Sequence, residues 1–148
     1  MKARDIMTKD PVLCRAETLL PEAARLMCEA DCGALPVVDN QDRPIGVVTD
    51  RDISCRVIAK GRDARQTQVR ECMTEAPVCV GADASVEECC RLLEENQIRR
   101  LVVLDDDGVC CGMISQADVA LHTTEHQTAT LVREVSKELR RAPEPVAP

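Results

Sequence analysis

The sequence is written twice. An offset of 66 residues lays "RDIMTKDPV" (4–12) over "RECMTEAPV" (70–78), "LPVVD" (35–39) over "LVVLD" (101–105), and "PIGVVTDRDI" (44–53) over "CCGMISQADV" (110–119). The ungapped overlay of 4–53 on 70–119 gives 15 identities in 50 pairs, with most of the rest alike in kind. Such periodicity constrains the fold more than any local signal, because a unit of about 50 residues buries too little surface to be stable alone. Two copies packed face to face are the expected solution.

Each copy carries the same local signals. An extended segment is expected around Val12 and Val78, and a helix near Leu19 and Ser85. Ser85 and Glu88 offer a capping box, and Pro21 falls in the matching first turn, where its missing N–H does no harm. Leu20, Ala23, Ala24 and Met27 recur at helical spacing, as do Val86, Cys89, Cys90 and Leu93, so each helix presents one apolar stripe. Two β-branched runs around a polar turn then predict a hairpin, 35–39 with 45–49 and 101–105 with 111–115. A second helix begins near Asp50 and Gln116. The fold class is α+β, with the order strand, helix, strand, strand, helix repeated in tandem, and "KGRDARQTQ" (60–68) reads as a linker.

The motifs "DIMTKDPV", "GALPVVD" and "GVVTDRD" in one copy, with "ECMTEAPV", "RRLVVLD" and "GMISQAD" in the other, resemble a tandem pair of CBS domains, a Bateman module, over roughly 4–122. The likeness is greatest to small bacterial stand-alone CBS-pair proteins. It implies a first CBS domain at 1–60, a linker at 61–69, a second CBS domain at 70–122, a C-terminal helix at 123–142 and a tail at 143–148. It also implies packing with pseudo-two-fold symmetry, and flat homodimers of the modules.

The candidate site rests on Thr49 with Asp52, and on Ser115 with Asp118. A strand that ends in a hydroxyl and is followed three residues later by a carboxylate places both at a strand-to-helix junction, near free N–H groups. An ionised Asp accepts two hydrogen bonds and suits the cis hydroxyls of a ribose, while the hydroxyl and the helix start suit phosphate. The family resemblance implies adenosine ligands such as AMP, ADP, ATP, NAD or S-adenosylmethionine in clefts between the copies. It sets Thr49 and Asp52 against Val78, Cys79, Arg99 and Arg100, and Ser115 and Asp118 against Val12, Leu13, Gly33 and Ala34. On that reading the two arginines bind phosphate, and the second cleft binds it less well. Val102, where the first copy has Pro36, alters the strand beside the arginines. The plainer reading is that the carboxylates cap helices and the arginines lie on a solvated face.

Composition narrows the function. A formal net charge of −7 argues against a protein that neutralises a nucleic-acid backbone. The opening "MKARDIMTKDP" is no secretory signal and no apolar run suits a membrane span, so a cytoplasmic protein is expected. Phe, Tyr and Trp are absent, so the core must be aliphatic and sulfur-rich. The ten cysteines are then mostly reduced core residues, since Cys32 overlays Ile98, Cys89 and Cys90 overlay Ala23 and Ala24, Cys111 overlays Ile45 and Cys14 overlays Val80. Cys28 overlays Glu94 and Cys110 overlays Pro44, so these two are expected to be exposed and open to redox chemistry.

"HTTEH" (122–126) matches the zinc-peptidase pattern H-x-x-E-H, with His122 and His126 as ligands, Glu125 as base and Glu134 or Glu138 as the third ligand. "TATLVREVSKELRR" reads as an amphipathic helix with Leu131, Val132, Val135 and Leu139 on one side, packed on its own domains or on a second subunit. No nucleophile with a base and no phosphate-cradling glycine loop is visible. The sequence therefore points to a non-catalytic regulatory or sensory module without a cofactor, whose adenosine-type ligand changes what an unknown protein partner reads. The alternatives are a stress-response or interaction protein with vestigial clefts, acting through its dimer surface or thiols, and a zinc hydrolase using His122, Glu125 and His126.

Overall fold

The computed structural model describes residues 1–137. In chain order the elements are α1 (Ala3–Ile6), β1 (Thr8–Lys9), α2 (Leu20–Glu29), β2 (Ala34–Val38), β3 (Pro44–Thr49) and α3 (Asp50–Ile53), then β4 (Thr74–Glu75), β5 (Cys79–Gly81), α4 (Val86–Asn96), β6 (Arg100–Leu104), β7 (Cys110–Ser115), α5 (Gln116–Ala120) and α6 (Glu125–Ser136). The mixed α+β class and the two hairpins agree with the sequence pattern. The chain forms two compact units: Pro11–Pro77, called the first unit, and residues 1–10 together with the chain from Val78 on, called the second.

The units do not follow the repeats. In the first unit the strand order is β2-β3-β4, with β4 antiparallel to β3 through Gly46 with Glu75 and Val47 with Thr74. In the second it is β1-β7-β6-β5, with β1 antiparallel to β7 through Thr8 with Met113 and Lys9 with Gly112. β1 opens the first repeat and β4 opens the second, so each repeat lends its first strand to the other repeat's sheet. Apolar burial fixes the exchange. Ala3 and Ile6 join the second core with Leu93, Leu101, Ile114 and Leu131, while Val69 and Cys72 join the first with Leu20, Leu35, Val37 and Val48.

The helix stripes are buried as their spacing predicts: Leu20, Ala23 and Met27 in α2, and Val86, Cys89, Cys90 and Leu93 in α4. The Ser85–Glu88 box is half made. The Glu88 amide donates to Ser85 Oγ at 3.1 Å, but the Glu88 carboxylate turns to Arg91. The extended segment is a strand only in the second copy, where β5 runs parallel to β6; around Val12 it shrinks to a single bridge of Cys14 with Val37.

The linker reading of the polar stretch misses its packing. Thr67 and Val69 are buried, and the Leu20 amide donates to Thr67 O at 3.0 Å while the Val69 amide donates to Thr18 O at 2.8 Å. These backbone hydrogen bonds, which composition does not display, tie the segment down. In α6, Leu131 and Val135 are buried against the second unit, but Val132 is 41% exposed, so the buried stripe is narrower than expected. Leu139 and the tail lie outside the described residues.

If β1 is held chiefly by its apolar anchor, Ile6→Ala will cost roughly 2–5 kcal/mol. Val12→Ala, at a position 38% exposed, will change stability by about 0.5 kcal/mol or less. Urea unfolding followed by far-UV circular dichroism separates the two.

Candidate functional site

Both hydroxyl–carboxylate pairs form reciprocal caps where a strand turns into a helix. The Asp52 amide donates to Thr49 Oγ1 at 3.0 Å and the Thr49 amide donates to Asp52 Oδ2 at 2.9 Å. In the second unit the Asp118 amide donates to Ser115 Oγ at 3.1 Å, and Asp118 Oδ2 accepts from both the Ser115 amide and its hydroxyl at 2.7 Å. Capping thus explains the residue types and occupies one oxygen of each carboxylate. The other oxygen, Oδ1, is outside the cap in both.

The hairpins supply the neighbours. Ala34 lies opposite Thr49, and the Asp50 amide donates to Gly33 O at 3.0 Å. A Cβ on Gly33 would stand 2.8 Å from Asp50 Oδ2, so a larger residue there would make the exposed Asp50 carboxylate swing aside. Val12 is exposed and Leu13 half-buried, just before Cys14 bridges to β2. In the second unit Arg100 lies opposite Ser115, the Gln116 amide donates to Arg99 O at 2.8 Å, and the Val102 amide donates to Val78 O at 3.2 Å beside Cys79. Each unit therefore collects its own candidates: Thr49 and Asp52 with Val12, Leu13, Gly33 and Ala34, and Ser115 and Asp118 with Val78, Cys79, Arg99 and Arg100. Directly opposed residues of an antiparallel pair share a face, so the Arg100 guanidinium and the Ser115 hydroxyl belong to one face of β6 and β7. Neither Arg99 nor Arg100 forms a salt bridge among the described residues.

A residue that the sequence reading overlooked makes the two caps unequal. Arg56, four residues after Asp52, directs Nε to Asp52 Oδ1 at 3.6 Å and Nη1 to Cys72 O and Met73 O at 3.4 and 3.5 Å. Its counterpart is His122, whose Nδ1 meets the Asp118 main-chain oxygen at 2.7 Å and leaves the carboxylate alone. The signal was present as the helical i,i+4 spacing of opposite charges. The helix after Asp52 also widens into a π turn, Ser54–Ile58, with the Ala59 amide donating to Ser54 O at 2.9 Å. Such turns cluster at functional sites.

The thiols divide by position. Cys14, Cys72, Cys89 and Cys90 are buried, and burial pushes Cys14 and Cys90 up to about 12 and Cys89 up to about 11. Cys28 is exposed as expected, but Cys110 is buried, because it pairs with Leu104 across the β6–β7 hairpin. Cys32, expected in the core, is exposed beyond the end of α2, and Cys55 is exposed in the π turn. The H-x-x-E-H pattern is split. α6 starts at Glu125 after the Thr124 cap, so His122 lies in the preceding turn and does not share a helical face with His126. Among the described residues no group of three or more His, Cys, Asp or Glu side chains could hold a metal ion, and no helix is long and apolar enough to cross a membrane.

Residues 3–57 and 69–123 match the sequence profile of the CBS domain. Hypoxic response protein 1 of Mycobacterium tuberculosis is 35% identical over 133 residues, spanning 90% of this chain and 92% of that protein. The crystal structure of Hypoxic Response Protein I with two coordinated zinc ions aligns with a TM-score of 0.75 at 34% identity, covering 84% of this chain and 100% of that one. The structure of CBSX2 in complex with AMP aligns with a TM-score of 0.69 at 28% identity, covering 82% and 94%.

The buried thiols generate an alkaline limit. Their folded pKa values exceed the unfolded one, so the unfolded chain binds fewer protons in alkali. Their contribution is whole below the ordinary thiol range and is lost as pH rises through about 9 to 12. The unfolding midpoint will hold from pH 7 to 8 and fall above pH 9, less steeply in Cys14→Val. In the native protein a thiol reagent will label Cys28, Cys32 and Cys55 well ahead of the buried cysteines.

Proposed function

Because the chain belongs to the CBS-domain family, as two such domains in tandem, we propose that it is a non-catalytic sensory module that binds an adenosine-containing nucleotide. The observation that carries this reading is the pair of carboxylates, Asp52 and Asp118, each held by a cap through one oxygen with the other directed away from that cap. A carboxylate oxygen so placed accepts from a ribose hydroxyl without giving up the helix start. The AMP complex of CBSX2 supports the ligand class.

On this reading the Ser115–Asp118 side is the stronger phosphate site, contrary to the order drawn from the resemblance. Arg100 lies in register with Ser115, whereas Ala34 occupies that place beside Thr49. Arg56 also sets a positive charge against the uncapped oxygen of Asp52 and competes there with a ligand hydroxyl. Binding would bias the arrangement that a second copy or another protein reads, in a soluble cytoplasmic homodimer.

The interaction-protein alternative keeps one observation in its favour, the three exposed thiols Cys28, Cys32 and Cys55. The zinc-hydrolase alternative has none among the described residues, since the motif is split and no metal-holding cluster forms there; Glu138, one candidate third ligand, lies outside the described residues.

Thermal unfolding followed by far-UV circular dichroism decides. A ligand at 100 times its dissociation constant adds about 2.7 kcal/mol, which raises the midpoint by roughly 5–10 °C in a chain of this size. AMP will raise it; Asp118→Ala will abolish most of the rise and Asp52→Ala less. Arg100→Ala will weaken AMP by about tenfold while leaving adenosine nearly unchanged. No rise with AMP, ADP, ATP, NAD or S-adenosylmethionine at millimolar concentration would transfer the assignment to the thiol-bearing interaction protein.

A further inference from the structure

Two methionines occupy equivalent places in the repeats, Met7 in "DIMT" and Met73 in "ECMT". The strand exchange sends Met7 into the second unit and Met73 into the first, where each packs against the local core. Each lies over a glycine of the strand that receives the exchanged segment. A Cβ on Gly46 would stand 2.8 Å from Met73 Sδ, 3.3 Å from its Cγ and 2.8 Å from Thr74 O. A Cβ on Gly112 would overlap Met7 Sδ and stand 2.9 Å from its Cγ. Each thioether thus fills a notch that exists only because glycine lacks a side chain, and it does so in both units.

Their exposure differs from that of the other methionines. Met7 and Met73 are half-buried, Met27 and Met113 are buried at 5% and 8% exposure, and Met1 is exposed at its 69%. Met7 and Met73 therefore combine access with a close-fitted seat. The strands they fasten, β1 and β4, are only two residues long, so each thioether adds to the hold that Ala3 and Ile6, or Val69 and Cys72, give the segment.

We propose that Met7 and Met73 are paired oxidation sites through which a peroxide-class oxidant loosens the exchanged segments. The sulfur lone pair attacks one peroxide oxygen; an S–O bond forms, the O–O bond breaks, and the departing hydroxide takes the proton from the new S–OH group, leaving the sulfoxide and water. The thioether loses two electrons and the peroxide gains them. The product sulfoxide is polar, pyramidal at sulfur and bulkier than the thioether, so it no longer fits a notch shaped for an apolar chain. Because a sulfoxide can be enzymatically reduced, the change is reversible.

The test uses the full chain and graded hydrogen peroxide, followed by dithiothreitol to return reversibly oxidised thiols to the reduced state. Peptide mass mapping will find one added oxygen on Met7 and Met73 at doses that leave Met27 and Met113 intact. Hydrogen–deuterium exchange will become at least tenfold faster in residues 1–10 and 69–77, with the α4 and β6 peptides unchanged. Methionine sulfoxide reductase will restore the original exchange, and the Met7→Leu, Met73→Leu double variant will keep its protection under the same oxidant. Two results overturn the proposal: Met7 and Met73 staying unmodified until the protein unfolds, or becoming oxidised with no change in exchange at 1–10 and 69–77. The exchange readout on the wild-type protein stands even if the double variant does not fold.

Discussion

The pairing of β1 with β7, and of β4 with β3, is the interaction on which the rest of the structure depends. Each pairing spans two bridged residue pairs, a small gain in hydrogen bonds, yet each carries a run of apolar side chains into a core that its own repeat did not build. Ala3 and Ile6 are buried among residues from 80 to 135, and Val69 and Cys72 among residues from 14 to 57. Neither unit completes its core without a segment from the other repeat. A single copy of this sequence would leave a sheet edge bare and a core open.

The exchange also explains the chemistry of the core. With no aromatic residues, space is filled by Leu, Val, Ile, Met and Cys, and small differences in volume must be met one position at a time. Cysteine does this in the second copy, where Cys89 and Cys90 fill the places that Ala23 and Ala24 take in the first. Burial that suppresses the thiolate is what a packing role requires, and the raised values at Cys14, Cys89 and Cys90 fit it. The thiols left exposed lie at the end of α2 and in the π turn, away from either core.

Periodicity made the helices and hairpins legible, because Leu20, Ala23 and Met27, or Leu101 and Val103, reveal their buried faces at fixed spacing. The exchange was not legible, for a reason that lies in the repeat itself. β1 and β4 occupy equivalent positions, Thr8–Lys9 and Thr74–Glu75, and either would satisfy either sheet; the overlay that exposes the duplication conceals which partner each strand takes. The polar letters of 60–68 likewise hid a segment pinned by backbone bonds of Thr67 and the adjoining Val69 to Leu20 and Thr18. At the candidate site the hydroxyl–carboxylate pairs were readable because they recur. Arg56 was passed over because it does not, its counterpart being His122.

That last contrast bears on how a duplicated scaffold acquires function. The caps at Thr49–Asp52 and Ser115–Asp118 agree to within a few tenths of an ångström, since helix initiation fixes them in both copies. The charges around them are under no such constraint and have diverged: Arg56 leans on one carboxylate, while Arg100 lies in register with the hydroxyl of the other. On the proposed reading, backbone geometry shared by both units would set where a ligand's polar groups are met, and the unshared cations would set how strongly each is held. A fold of this kind reports little about function by itself. If the proposed sites bind, the asymmetry laid over the repeat is what would distinguish them.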